Sequence, residues 1–429
     1  MERGRLVRKK MERGRLVRKK NGTRTSCPQK TLKKMIKKIF VSIMAAGLML
    51  PAVAQNNGFQ FTTIKKNPTT KVQNQNRSST CWCFSTLSFF EAELLRMGKG
   101  TYDFSEAFVV NKTMMDRATK AVRTHGDVSF SPGGFASDVE YCWKHYGIVP
   151  QDAMPTMGSL QGLELPNNSD LDDLAEAYVK VITDKEDGPI SPLWKQGLQG
   201  IYDSFLGKCP EEFTYQGKKY TPKSFAESLP INIDDYVTIT SFSHEPFYSK
   251  FAIEVPDNWR WALAYNVPMD EMMQVIDNAV KNGFPIAWGA DVSEQGFSRN
   301  GIGQLPDVNS PNMSGTDMAR WTGLTYTSEK RQFLTSKPLP EITPTQEARQ
   351  KGYDNWETTD DHGMLIYGIA KDQNGKEYYM AQNSWGTDNP YKGTWYFTKA
   401  FVAMKTIDIM VHKDALPKEI AKKLGIATK

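Results

Sequence analysis

An amide and a thiol at a fixed spacing are the first sign of chemistry in this sequence. Gln75 precedes Cys81 by six residues, and Cys81 opens an apolar segment with helical spacing that runs to about Met97. The spacing predicts a helix that begins at Cys81, where the positive end of the helix dipole favours a thiolate. Such cysteines have pKa values of roughly 3.5–7.5 instead of about 8.5. We therefore expect a reactive sulfur here, although an unpaired cysteine is more often a small buried hydrophobe.

A base and a second amide follow far downstream. His362 lies in the segment 359–368 and Asn383 in the segment 378–386, with a short turn between the two. The pattern predicts two strands of a hairpin on which these two side chains face each other. Alone, His362 would more often be a core histidine and Asn383 a turn residue. Together with Cys81 they make a complete triad for nucleophilic catalysis, in which the asparagine orients the base.

These segments resemble the papain-like cysteine peptidases. The resemblance rests on three blocks, which are Gln-x5-Cys-Trp-x-Phe at 75–84, Asp-His-x5-Gly at 361–368 and Gln-Asn-Ser-Trp-Gly at 382–386. His362 follows Cys81 by 281 residues, whereas ordinary papain-type enzymes have a gap of about 130–150. The extra chain makes the sequence similar to the bleomycin hydrolase or aminopeptidase C branch of the family.

The resemblance implies a role for each residue that matches the family pattern. Cys81 is expected to be the nucleophile, with His362 as its ion-pair partner and the general acid for the leaving amine. Asn383 is expected to accept the other imidazole proton and so fix the orientation of the ring. Gln75 Nε2 and the Cys81 backbone N–H are expected to form the oxyanion hole.

Three further positions match the family around the triad. Gly133 and Gly134 resemble the family's glycine pair, whose backbone lines the cleft and pairs with an extended substrate, which needs close approach. Trp385 is expected to shield the contact between the histidine and the asparagine from water. The sequence contains no metal-ligand spacing and no cofactor motif, so we expect a site without metal or cofactor.

The resemblance implies an α+β fold with two lobes, a helical left lobe and a β-barrel-like right lobe, enlarged by large insertions. Composition and periodicity suggest the segment boundaries. The segments are 1–34, an artefactual or misread upstream extension; 35–54, a signal peptide; 55–160, the helical left lobe with the nucleophile; 161–228, a helical insertion; 229–304, the start of the right lobe; 305–357, an insertion or long loop; and 358–429, the β-rich right lobe with the histidine, the asparagine and a C-terminal arm.

The first 54 residues predict export. Residues 1–20 contain the same decapeptide twice in direct succession, which is not typical of a folded repeat. Met35 then begins a basic segment, which is followed by an apolar run and a small-residue cleavage site before Gln55. The apolar run is short for a membrane anchor. We therefore expect a cleaved, exported protein, periplasmic or secreted, with no stable membrane anchor.

Loss of the leader reverses the sign of the net charge. Residues 1–54 carry 16 Lys and Arg against 2 Asp and Glu, so the formal charge changes from +6 to about −8. A nucleic-acid partner is not expected, because phosphate binding needs clustered positive charge. Four cysteines remain after cleavage, and the sequence leaves open whether Cys142 and Cys209 form a disulfide.

The favoured interpretation is an exported cysteine peptidase of peptides, an aminopeptidase of the bleomycin hydrolase type. In that branch the C-terminal arm blocks the cleft beyond the first residue position and holds the substrate amine. Here the arm after Pro417 holds one short helix, which favours as an alternative a dipeptidyl- or endopeptidase with an open cleft. An alternative of another class is a catalytically silent relative that binds peptides. The branch typically forms a closed hexamer, and the sequence leaves the oligomeric state and the natural substrate open.

Overall fold

The computed structural model describes residues 58–429. The upstream extension (1–34) and the predicted signal peptide (35–54) lie outside these residues. Within 58–429 the chain forms twelve α-helices and thirteen β-strands, so the predicted α+β class is confirmed. The first strand, β1 (Thr62–Lys66), joins the sheet of the second lobe.

The helical lobe is built around the helix that begins at the predicted nucleophile. Its elements are α1 (Cys81–Arg96), α2 (Glu106–Arg123), α3 (Ala136–Tyr146), α4 (Ser169–Thr183), α5 (Trp194–Leu206), a hairpin of β2 (Phe213–Tyr215) and β3 (Lys218–Tyr220), and α6 (Pro222–Ser228). Helix α1 is buried on nearly every side, because the other helices of its lobe cover one face and the sheet of the second lobe covers the other. It therefore forms the boundary between the two lobes.

The second lobe is a large mixed sheet with helices packed against it. Its strands are β4 (Tyr236–Thr240), β5 (Lys250–Ala252), β6 (Leu263–Asn266), β7 (Ile286–Ala290), β8 (Phe297–Ser298), β9 (Ile302–Gly303), β10 (His362–Lys371), β11 (Glu377–Gln382), β12 (Thr394–Thr398) and β13 (Thr406–His412). Its helices are α7 (Met269–Lys281), α8 (Gly315–Gly323), α9 (Thr327–Leu334), α10 (Gln346–Asp354), α11 (Lys399–Lys405) and α12 (Lys418–Lys423). The strand order is β5-β6-β4-β13-β7-β10-β11-β12-β9-β8, and β1 also pairs with β10.

Strand register brings the predicted catalytic segments together. The hairpin expected for the histidine and asparagine segments is present as the antiparallel pair β10 and β11. On the other side of β10, His362 lies opposite Ala290 of β7 and Gly363 lies opposite Gly289. Helix α1 packs directly on β10. The start of α1 and the start of β10 therefore meet at one place.

The segment 305–357 contains more regular structure than the sequence predicted. Residues 305–357, expected to be an insertion or long loop, contain α8, α9 and α10. Arg349 of α10 is fully buried and donates hydrogen bonds to the carbonyls of Ser241 and Ala403, which ties this segment to the sheet lobe.

Cys142 and Cys209 are both free thiols, so no disulfide joins them.

Candidate active site

Cys81 is the first residue of α1 and opens onto a cavity between the lobes. The turn before it is tight, with Asn76 at φ 45° and Ser79 at φ 58°, both in the left-handed region. Thr80 precedes the helix and its carbonyl accepts from the N–H of Cys83, so the helical hydrogen bonding begins at this point. The Cys81 side chain is half-buried and lines a cavity of about 380 Å³, a volume in the range of ligand pockets.

His362 and Asn383 form the hydrogen bond that the sequence predicted. His362 Nε2 donates to Asn383 Oδ1 at 2.8 Å. Because a carbonyl oxygen only accepts, the imidazole proton lies on Nε2 and Nδ1 is the acceptor in the neutral ring. The Trp385 ring lies 4.7 Å from the imidazole, centroid to centroid. His362 and Trp385 line the same cavity as Cys81, so the arrangement fits a nucleophile, a base and an orienting amide.

Gln75 is held in place by Ser384, which directly follows Asn383. Its side chain is 6% exposed, and its Oε1 accepts a hydrogen bond from the Ser384 hydroxyl. Its backbone N–H donates to the Ser384 carbonyl at 2.8 Å. The amide oxygen is therefore occupied, which leaves Nε2 as the donor. Since Gln75 also lines the cavity of Cys81, its position suits the predicted oxyanion role.

Gly363 allows the strand of the histidine to approach the helix of the cysteine. A Cβ at this position would lie 2.6 Å from Ser85 Oγ, 3.3 Å from Trp82 Cα and 3.4 Å from the Cys81 carbonyl oxygen. The Gly363 backbone N–H faces the Cys81 thiol and favours its charged form. Any side chain at Gly363 would thus push β10 away from α1.

Gly133 and Gly134 line the cavity on the side of the helical lobe. The fully buried Arg117 donates to the Gly133 carbonyl at 2.6 Å and lies 3.3 Å from the Asp257 carboxylate. Asp257 covers Gly133 so closely that a Cβ there would be 1.9 Å from Oδ2. The Trp82 ring lies against Gly134, where a Cβ would be 2.9 Å away. Both positions therefore need glycine, and their pairing with an extended substrate stays a prediction.

The sequence of the chain matches a known protein family. The model of the peptidase C1-like family matches residues 29–322 and 341–427 of the chain. The chain belongs to the peptidase C1-like family. The predicted resemblance to the papain-like cysteine peptidases is thereby confirmed, and with it the prediction of a cysteine-type peptidase.

Similar proteins are known from Lactococcus and Lactobacillus species. Aminopeptidase C of Lactococcus lactis subsp. cremoris is 24% identical over 393 residues, which cover 83% of each chain. Aminopeptidase E of Lactobacillus helveticus is 22% identical over 386 residues, which cover 81% of this chain and 82% of the relative. The crystal structure of PepW from Lactobacillus rhamnosis has a TM-score of 0.61 at 20% identity and covers 85% of this chain and 84% of its own. The papain-like fold is thus confirmed.

Burial opposes charge on both reacting residues of this peptidase. Burial raises the pKa of the Cys81 thiol to about 12, the nearby carboxylates of Asp360 and Asp257 add to the rise, and the Gly363 N–H opposes it. Burial lowers the pKa of His362 to about 4, against the effect of its hydrogen bond to Asn383. The expectation that the helix start alone acidifies the thiol is therefore wrong, because the loss of water outweighs the helix dipole. A thiolate here needs the compensating charge of an imidazolium.

Carboxylates are the feature of this cavity that the sequence reasoning missed. Asp257, Asp360, Asp361 and Asp408 all line it, and none of the described lining residues is Lys or Arg. The Oδ2 atom of Asp360 is buried without a hydrogen-bond partner. Asp408 was not selected at all, although an acidic residue inside the apolar strand 406–412 was an available signal.

The helical insertion supports the turn before the nucleophile. Asn168 donates from its backbone to the Arg77 carbonyl at 2.9 Å and from its side chain to the Ser78 carbonyl at 3.3 Å. Asp172 of α4 lies near Ser79, and burial raises the pKa of its carboxyl to about 7 while the Ser79 side chain opposes that rise. The structure gives the insertion a positioning role beside the catalytic turn.

Residues 413–429 pack away from the cavity. Ile426 packs against the apolar cluster of the sheet lobe, and the backbone N–H of Lys429 donates to Asp414 Oδ1 at 2.9 Å. Among the described residues that line the cavity of Cys81, none comes after Asp408. The predicted short arm therefore lies on the sheet lobe, with α12 as its one helix.

Two kinds of feature, a metal-binding cluster and a membrane-spanning helix, are absent from residues 58–429. Within this range no three side chains of the metal-binding types are arranged around a common point. The helices of the same range are each too short or too polar to cross a membrane.

Proposed function

We propose that this protein is a cysteine aminopeptidase that cleaves peptides through Cys81, His362 and Asn383. The observation that carries the proposal is that Cys81 and His362 line one cavity while His362 Nε2 is bound to Asn383. Cys81 Sγ attacks the carbonyl carbon, and its proton passes to His362 Nδ1. The imidazolium then protonates the leaving amine as the peptide bond breaks, which leaves a thioester. Water, deprotonated by His362, hydrolyses the thioester and restores the thiol.

Negative charge develops on the carbonyl oxygen in both steps. Gln75 Nε2 and the Cys81 backbone N–H are the donors proposed to stabilise it. The two hydrogen bonds between Ser384 and Gln75 fix this donor before the substrate arrives. A donor that is already oriented costs no reorganisation in the transition state, and one such donor contributes roughly 2.7–4 kcal/mol.

Support for action at the free N-terminus comes from the relatives, which are named aminopeptidases. A second candidate, a dipeptidyl- or endopeptidase with an open cleft, is favoured by two observations. Residues 413–429 pack on the sheet lobe and supply no lining to the cavity. A second cavity, of about 740 Å³ and lined by Tyr353 and Trp356, shares Asp360 with the first, so the cleft continues beyond it.

One substrate pair separates the two candidates. The rate of cleavage is measured for one fluorogenic peptide with a free and with an acetylated N-terminus, and Cys81→Ala is the background control. An aminopeptidase cleaves only the free form, whereas equal cleavage of both forms identifies the open-cleft enzyme. Cleavage of neither form, together with no labelling of Cys81 by an epoxysuccinyl inhibitor, would refute a peptidase function.

Export is proposed on the sequence of residues 35–54 alone. A basic start, an apolar run and the small residues before Gln55 support cleavage at that point. The test is the N-terminal sequence of the protein after expression in a bacterium with an outer membrane. A mature chain that begins at Gln55 outside the cytoplasm is expected, and an uncleaved cytoplasmic chain would refute export.

A further inference from the structure

We propose that Asp408 and Asp360 form an acidic subsite beside Cys81 that binds a cationic group of the substrate. The inference rests on the proposed peptidase function and names the chemistry that the cavity selects. It concerns an ammonium or guanidinium group, because these are the organic cations that peptides carry.

The Asp408 carboxylate lies in a space that only glycine leaves open. Asp408 of β13 pairs with Gly289 of β7, and a Cβ at Gly289 would lie 2.3 Å from Asp408 Oδ1. The carboxylate therefore extends over the backbone of β7 toward the cavity, which both residues line. Alanine at Gly289 would displace it.

Residues paired across β13, β7 and β10 connect Asp408 with the start of the helix that carries Cys81. Gly289 pairs on its other side with Gly363 of β10, which touches the start of α1. The floor between Asp408 and Cys81 is thus made of two glycines. Two strand spacings of about 4.8 Å place the Cα atoms of Asp408 and Gly363 roughly 10 Å apart. Since one extended residue spans about 3.3–3.6 Å, the carboxylate faces the substrate residues next to the scissile bond.

The two carboxylates lack a partner within the protein. Asp408 is 3% exposed, and neither its Oδ2 nor that of Asp360 has a hydrogen-bond partner. The nearby buried cations are already paired. Arg117 pairs with Asp257, and Lys405 pairs with Glu294. A buried carboxylate without a partner is costly, and a bound cation removes that cost through charge-assisted hydrogen bonds.

The raised pKa values of the two carboxyl groups are consistent with a site that binds a cation. Burial raises the pKa of Asp408 to about 7. Burial first, and then the charges of neighbouring carboxylates including Asp408, raise the pKa of Asp360. Groups of this kind in a cleft are typical of functional sites.

Two parts of a peptide supply this cation. One is the α-ammonium of the first residue, which an aminopeptidase must recognise. The other is a basic side chain on the residue before the scissile one, which an open cleft would accept. The chemistry is the same, so the experiment distinguishes the two sources.

The test compares kcat/KM for two matched substrate pairs. The two peptides of the first pair differ only in having a free or an acetylated N-terminus. Both peptides of the second pair have an acetylated N-terminus, and they differ in having lysine or norleucine immediately before the residue whose carbonyl is cleaved. The wild type is expected to prefer the cationic member of one pair. Asp408→Asn is expected to reduce that preference by at least about tenfold. Asp414→Asn, which removes the same charge beyond the far end of β13, is the matched control.

The outcome identifies the source or overturns the subsite. Loss of preference in the first pair assigns the α-ammonium, and loss in the second assigns the basic side chain. Unchanged preference in a folded Asp408→Asn variant, or an equal loss for all substrates, overturns the proposal. If this variant does not fold, Asp360→Asn replaces it. Binding of the same peptides to Cys81→Ala, with and without Asp408→Asn, measures the subsite even if the wild type hydrolyses none of them.

Discussion

Replacement of Gly363 by alanine tests whether close packing of α1 on β10 builds the active site. The new Cβ would lie 2.6 Å from Ser85 Oγ, whereas ordinary contacts begin near 3.4 Å, so the strand or the serine must move by about 0.8 Å. The Ser85 hydroxyl is not free to turn away without loss, since it donates to the Trp82 carbonyl at 3.2 Å. Overpacking of this size costs about 1–3 kcal/mol of folding stability. A misplacement near 1 Å at the reacting groups lowers activity by up to about 100-fold.

A second substitution, at Ser85, tests whether contact with this residue causes the loss of activity. Once Ser85→Ala removes the closest atom, the nearest remaining contacts of the new Cβ are at 3.3 and 3.4 Å, which are almost ordinary. The double variant is therefore expected to recover most of the kcat that Gly363→Ala loses, and Ser85→Ala alone is the control. Activity is measured on the free-amine peptide, and epoxysuccinyl titration of Cys81 counts competent sites. Full activity of Gly363→Ala, or no recovery in the double variant, would refute the packing argument.

Two further predictions concern the residues around the triad. Ser384→Ala leaves Gln75 Oε1 without its hydrogen-bond donor, and kcat should fall about tenfold. Gln75→Ala should cause a far greater loss of kcat, roughly 100- to 1,000-fold. Equal losses of kcat in two variants of equal thermal stability would contradict the role of Ser384 in positioning Gln75. Asp408→Asn should stabilise the protein at high pH. The pKa of Asp408 is about 7 in the folded protein and about 3.8 in the unfolded chain, so folding favours the neutral carboxyl. This contribution to stability is fully present below pH 3.8 and is lost as the pH rises through about 7. Urea unfolding should show wild-type stability near pH 4 and a gain of up to ~4 kcal/mol at pH 8, and no gain at pH 8 would contradict it.

The sequence predicted the parts of the site that depend on local spacing. The helix that starts at Cys81 and the hairpin that carries His362 and Asn383 follow from periodicity and turn residues, and the structure has both. Their agreement with a known family pattern then supplied the fold.

The contribution of residues distant in the sequence was not predictable in the same way. Asp408 enters the cavity because β13 pairs with β7 opposite a glycine, and no local pattern specifies that pairing. The pKa of Cys81 was predicted in the wrong direction because helix dipoles are visible in sequence, whereas burial depends on how the two lobes meet. The bracing of the catalytic turn by Asn168 is a contact of the same long-range kind.

The place of β13 in the sheet makes completion of the sheet depend on residues 406–412. Residues 406–412 are synthesised after the cysteine, the histidine and the asparagine, yet β13 lies between β4 and β7 and joins the two halves of the sheet in the described chain. A chain without β13 would contain Cys81, His362 and Asn383, but its sheet would be divided between β4 and β7 and the cavity of Cys81 would lack Asp408. The sheet and the cavity are therefore complete only when β13 has paired with both β4 and β7.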